Sequence, residues 1–134
     1  MSPAAKKRIL LAEDDPSVRK TTKFRLEHEG YDVVAVEDGE AALAQASAVP
    51  IHLVLLDIRL PKMDGYEVCR RLKNNQATAE IPVLIFTASE SQMTSLANRC
   101  IEVGAVDWLQ KPFRTAQLME KIHRALGEEG MSHG

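Results

Sequence analysis

Five short apolar runs, separated by segments of helical period, constrain this chain more than any other feature: Arg8–Ala12, Asp32–Val36, Leu53–Leu56, Val83–Phe86 and Val106–Gln110. Runs of this length, β-branched or rich in Leu, read as parallel strands buried between helices. Parallel neighbours need crossover helices, so the pattern predicts a (βα)5 α/β domain, an open, doubly wound, five-stranded parallel sheet with helices on both faces.

The intervening segments supply the helices. Asp15 can cap a first helix with Pro16 at its first position, Gly30 can end it, and Val18, Thr22 and Leu26 share one face. An Ala-rich second helix is expected over about Gly39–Ser47, and a third over about Tyr66–Asn74 with Val68 and Leu72 on one face. Ser89 and Gln92 have capping-box spacing before a fourth helix ending near Gly104. Leu118, Ile122, Ala125 and Leu126 form the inward stripe of a fifth, closed by Gly127. The domain is expected over residues 8–127, flanked by tails 1–7 and 128–134, with no internal repeat or linker.

Several function classes fall away at this level. Seventeen basic and nineteen acidic residues leave a net charge of −2, which gives no attraction for nucleic-acid phosphates, so direct nucleic-acid binding is not expected. The apolar runs fall far short of the roughly 18 residues of a membrane span. Acidic residues from Glu13 interrupt the apolar stretch a secretory signal would need, which points to a cytoplasmic protein. Cys69 and Cys100, far apart in helix-like segments, read as reduced buried thiols.

Four of the runs end in polar residues: Glu13–Asp14, Asp57, Thr87 and Lys111. Open α/β sheets bind ligands outside the carboxyl ends of their strands, so these side chains should form one cluster. Three carboxylates in one place repel unless a cation sits among them, and a hard divalent ion, Mg2+ with Mn2+ as an alternative, suits oxygen ligands. His28, His52, His123 and His133 are too scattered for zinc and read as helix-surface or tail residues. An aspartate beside a cation, a lysine and a hydroxyl is arranged to attack phosphorus and form an acyl phosphate, with Asp57 as nucleophile. Neither a GxxxxGK[ST] loop nor a GxGxxG after the first strand is present, which disfavours a kinase or dehydrogenase.

The motifs Ile9-Leu10-Leu11-Ala12-Glu13-Asp14-Asp15, Leu53-Val54-Leu55-Leu56-Asp57, Leu60-Pro61-Lys62-Met63-Asp64-Gly65, Phe86-Thr87-Ala88 and Lys111-Pro112-Phe113, in this order, resemble the receiver domains of two-component response regulators, the single-domain chemotaxis-type regulators among them. The resemblance covers about Arg8 to Gly127 and implies a flavodoxin-like strand order of 2-1-3-4-5. It also implies that Asp57 accepts a phosphoryl group from a histidine kinase or histidine phosphotransfer protein. The metal would be held by Glu13 (through water), Asp14, Asp57 and the backbone carbonyl of Arg59. Thr87 and Lys111 would bind phosphoryl oxygens, Ala88 would leave room for the phosphate, and a cis Lys111–Pro112 bond would aim the lysine inward. Trp108 occupies the position of an aromatic switch, while Arg59 and Ser89 line the phosphate entrance and would set phosphate lifetime. Asp15 and Asp64 are helix caps rather than ligands.

Output is expected through the surface of the fourth helix, fifth strand and fifth helix. It would reach a downstream protein target or a phosphorylation-dependent dimer, with Asp107 and Lys121 available for ion pairs there. The expected module is a stand-alone signalling receiver, not a dedicated enzyme, with Mg-dependent self-phosphorylation from small donors and slow self-dephosphorylation. Met1–Lys7 reads as a natural start, whereas Glu128–Gly134 leaves open a receiver cut from a longer regulator or hybrid kinase. An aspartate-nucleophile phosphatase would want a general acid two residues after Asp57, where Arg59 cannot serve.

Overall fold

The computed structural model describes residues 6–87 and 93–127. Strands and helices alternate as β1 (Arg8–Ala12), α1 (Pro16–His28), β2 (Asp32–Val36), α2 (Gly39–Ala48), β3 (Leu53–Asp57), α3 (Gly65–Lys73), β4 (Val83–Thr87), α4 (Met93–Val103), β5 (Asp107–Gln110) and α5 (Thr115–Leu126). Every strand pairing is parallel and the order is β2-β1-β3-β4-β5, the expected flavodoxin-like sheet. After β2 the chain returns to the other side of β1, so the crevice between β1 and β3 at their carboxyl ends is the topological switch point.

Strand side chains alternate between two cores, as a period of two requires. Leu10, Ala12, Val54, Leu56 and Ile85 meet Ala42 and Ala46 of α2, Val68 and Leu72 of α3, and Cys100 of α4. On the other face Ile9, Leu11, Leu53, Leu55, Phe86 and Leu109 meet Leu26 of α1 and Leu118, Met119 and Ile122 of α5. β3 and β4 are buried throughout, each Leu or Ile contributing about 1.5–3 kcal/mol of burial.

The boundaries differ from expectation by a residue at several ends. β3 and β4 extend into Asp57 and Thr87, because those residues still pair with Phe86 and Gln110. β5 begins at Asp107; Val106 donates its N–H to Val83 O at 2.9 Å, yet its side chain is 53% exposed. α2 runs on to Ala48, and α3 starts at Gly65 because Asp64 caps it, accepting from the Glu67 N–H at 2.9 Å. The Ser89–Gln92 capping pair lies outside the described residues. His52 is a loop residue before β3 rather than a helix-surface one, and its Nδ1 accepts from the Arg8 N–H at 2.9 Å. Gly30 and Gly127 follow their helices at positive φ, 100° and 73°, the left-handed turn in which glycine carries no Cβ penalty.

Candidate functional site

The register of the sheet brings its carboxyl ends level. Ala12 pairs with Leu56, which sets Glu13 beside Asp57, and Thr87 pairs with Gln110, which sets Lys111 just beyond. By alternation Glu13, Asp57 and Lys111 continue the rows of Leu11, Leu55 and Leu109, all on the α1–α5 side.

Lys111 Nζ lies 2.6 Å from Glu13 Oε1 and 3.0 Å from Asp57 Oδ2. Glu13 and Asp57 are 1% and 5% exposed, and the Lys111 side chain 18%. Asp14 is exposed, and a carboxylate oxygen from each of Glu13, Asp14 and Asp57 lies within 4.8 Å of the others. Glu13 is held further by its N–H to Val36 O at 3.0 Å and by the Asp15 N–H, which donates to its Oε2 at 3.0 Å. Asp57 Oδ1 accepts from the Arg59 N–H at 3.1 Å, so the Arg59 main chain sits against the carboxylate while its side chain is exposed. Gly65 lets the following loop close on this strand end: a Cβ there would collide with the Asp57 carbonyl oxygen and lie 2.9 Å from Ile58 Cα.

Burial pushes the Glu13 carboxyl above its ordinary range, opposed by the bonds from Lys111 and the Asp15 N–H and reinforced by the Asp57 charge. Burial works to lower Lys111, but its bonds to Glu13 and Asp57 win and hold the ammonium above its ordinary value. Three carboxyl groups gather around one ammonium, so the site is rich in oxygen donors. That donor set fits a hard divalent cation, and it lacks the nitrogen or sulfur that zinc favours.

Thr87 is buried, and its carbonyl accepts from the Lys111 N–H at 2.7 Å. The Lys111–Pro112 peptide is cis. Trp108, half-buried, pairs with Ile85 and packs on the α2–α4 side, the side toward which Thr87 also alternates. Asp107 accepts from the Trp108 N–H at 2.8 Å and pairs with Lys121 Nζ at 3.0 Å. Asp15 caps α1, accepting from the N–H groups of Ser17 and Val18 at 2.9 and 3.2 Å. Ala88 and Ser89 lie outside the described residues.

Three features were not read from the sequence. Arg19 reaches back from α1 to the carbonyls of Glu13 and Asp14. Lys62 adopts a positive φ of 71° and points its ammonium between Asp38 and Glu40, at 3.6 and 3.7 Å. A groove of about 570 Å³ opens beside Lys111, between Val18, Thr21 and Arg25 of α1 and Pro112 and Phe113.

Residues 9–123 match the family model of the response regulator receiver domain. The DNA-binding dual master transcriptional regulator RpaA of Synechocystis is 37% identical over 119 residues, 89% of this chain and 48% of the relative. The chain thus spans about half the length of the curated relatives it matches. The receiver domain of the sensor histidine kinase PA1611 from Pseudomonas aeruginosa, solved with a magnesium ion coordinated in its active site cleft, superposes with a TM-score of 0.83 at 32% identity, covering 92% of this chain and 99% of that one. The chemotaxis protein CheY4 of Vibrio cholerae superposes with a TM-score of 0.83 at 29% identity, covering 91% of this chain and all of that one. With the family match running across nearly all of the sheet and its helices, the chain belongs to the receiver domains of two-component response regulators.

Proposed function

We propose that Asp57 is the phosphoacceptor of this receiver and that Glu13, Asp14, Asp57 and the Arg59 carbonyl hold Mg2+, with Mn2+ as a substitute. The observation that carries the reading is the buried Asp57 carboxylate, 3.0 Å from Lys111 Nζ and clustered with Glu13 and Asp14 at the open end of the sheet. A carboxylate oxygen of Asp57 attacks the phosphorus of a phosphohistidine, the P–N bond breaks, and the imidazole nitrogen leaves with its electron pair as an acyl phosphate forms. The cation, when bound, neutralises phosphoryl oxygens. Lys111 supplies a fixed positive charge beside the same oxygens, Thr87 a hydroxyl donor, and Ala88 the space.

The donor is a histidine kinase or a histidine phosphotransfer protein, and the groove between α1 and Pro112–Phe113 is where it docks. Output runs through the α4-β5-α5 surface to a protein target or a second copy, with Thr87 and Trp108 as the switch pair. Arg59 and Ser89 set phosphate lifetime. The unit acts over residues 8–127, with 1–7 and 128–134 as tails, in the cytoplasm, as a signalling module that self-phosphorylates from small donors and dephosphorylates slowly.

Incubation with acetyl phosphate and Mg2+, read by intact mass, tests this. A labile gain of one phosphoryl group in the wild type, lost in Asp57→Asn and on chelation of the metal, supports the assignment; an equal gain in the variant rejects it.

A further inference from the structure

We propose that Arg19 is a positioning residue of the cation site: its guanidinium holds the main chain of the acidic pair so that the Asp14 side chain presents its oxygen beside Asp57. This rests on the cation reading above. Helical side chains lean toward the helix N-terminus, so Arg19, whose own N–H bonds Asp15 O at 2.9 Å, sends its side chain back over the turn that precedes α1. There Nη1 donates to Glu13 O at 2.9 Å and to Asp14 O at 3.2 Å, while Nη2 lies 3.8 Å from Glu37 Oε2.

The two acidic residues are anchored very differently. Glu13 is fixed through its N–H by Val36, through Oε1 by Lys111 and through Oε2 by the Asp15 N–H. Asp14 has an exposed side chain, and Arg19 grips its carbonyl. The Arg19 side chain is only 21% exposed, and its bond to Glu13 O is partly shielded from water, while the bond to Asp14 O lies at the surface. Its Glu37 partner is 73% exposed and adds little. A planar guanidinium that spans two successive carbonyls fixes the peptide between them, which a lysine ammonium, a point charge on a flexible stem, does less well.

Charge and position make opposite demands here, which renders the idea testable. If Arg19 acted only as a positive charge near the cation, removing it would tighten binding. If it acts by holding the loop, removing it loosens binding, on the order of tenfold for an outer partner of a metal site. Calorimetric titration of MgCl2 into wild type, Arg19→Met, Arg19→Lys and Asp14→Asn separates the two, with thermal unfolding in EDTA as the check on folding. The expected result is about tenfold weaker Mg2+ binding for Arg19→Met, a smaller loss for Arg19→Lys, and a loss for Asp14→Asn. Binding by Arg19→Met as tight as wild type or tighter overturns the proposal; should that variant fail to fold, Arg19→Lys equal to wild type overturns it. A wild type that binds no Mg2+ rejects the cation reading itself, and Arg19's role with it.

Discussion

Lys111 and Glu13, 98 positions apart in the chain, meet at 2.6 Å, and the same ammonium reaches Asp57 at 3.0 Å. One lysine therefore closes the open end of the sheet by tying the residue after β5 to the residue after β1 and to the last residue of β3. Removing it leaves two buried carboxylates without a counter-charge. Lys111→Met should cost about 2–3 kcal/mol in urea denaturation with EDTA present, since the orphaned charges keep their desolvation penalty. Millimolar Mg2+ should restore more of that loss than it adds to the wild type. An identical Mg2+ increment in both proteins would contradict the view that lysine and cation balance the same carboxylates.

Gly65→Ala tests the close approach at the start of α3. Alanine is ordinarily a better helix residue than glycine by about 1 kcal/mol, so propensity alone predicts stabilisation. The clash with the Asp57 carbonyl and Ile58 predicts the reverse, a loss of about 1–3 kcal/mol as the loop shifts off the strand end. Phosphorylation by acetyl phosphate should slow in parallel, because Asp57, the proposed acceptor, is carried by the displaced backbone. A variant as stable and as reactive as the wild type would show that the loop yields freely.

The acid pair, Asp57 and Lys111 were legible because each directly follows an apolar run, and a parallel sheet must bring such ends together. The same logic gave the strand order only through resemblance, since alternation of strand and helix does not say which neighbours pair. Boundaries slipped by one at Asp57 and Thr87 because a polar residue at a strand end looks like the start of a loop, while the ladder continues through the backbone. Val106 slipped the other way: it is β-branched but exposed. Arg19 and Lys62 left no trace in spacing. A side chain returning to main-chain carbonyls has no periodicity, and lysine has no preference for the left-handed region that Lys62 occupies.

The two thiols should be inert in the folded protein. Burial pushes Cys69 up to about 12 and Cys100 to about 11. At pH 8 the thiolate fraction of Cys69 would be roughly one in ten thousand, and only the thiolate is alkylated. Iodoacetamide labelling read by mass should stay negligible until urea unfolds the chain. The linkage has a definite sign: thiols whose folded pKa lies above the unfolded value keep their stability at and below neutral pH and lose it as pH rises beyond about 8.5, toward 11–12. Cys69→Ala should flatten that alkaline decline, and rapid labelling of native protein at pH 8 would refute the burial argument.

Trp108 is the chain's only tryptophan, so its fluorescence reports one place on β5. It pairs with Ile85, two residues before Thr87 on β4, and the two side chains face the same core, with Leu96 and Cys100 of α4 among its buried members. A phosphoryl group on Asp57 that draws the Thr87 hydroxyl inward would open space on that side and change the packing around the indole. Beryllofluoride with Mg2+, a stable stand-in for the phosphoryl group, should therefore shift Trp108 emission in the wild type. Asp57→Asn should abolish the shift by removing the proposed site of attachment. Thr87→Ala should still bind the mimic but lose most of the shift if, as proposed, the threonine connects phosphate to indole. Emission that shifts equally in wild type and Thr87→Ala would mean that the signal reaches β5 by another route, through Lys111 and the strand itself.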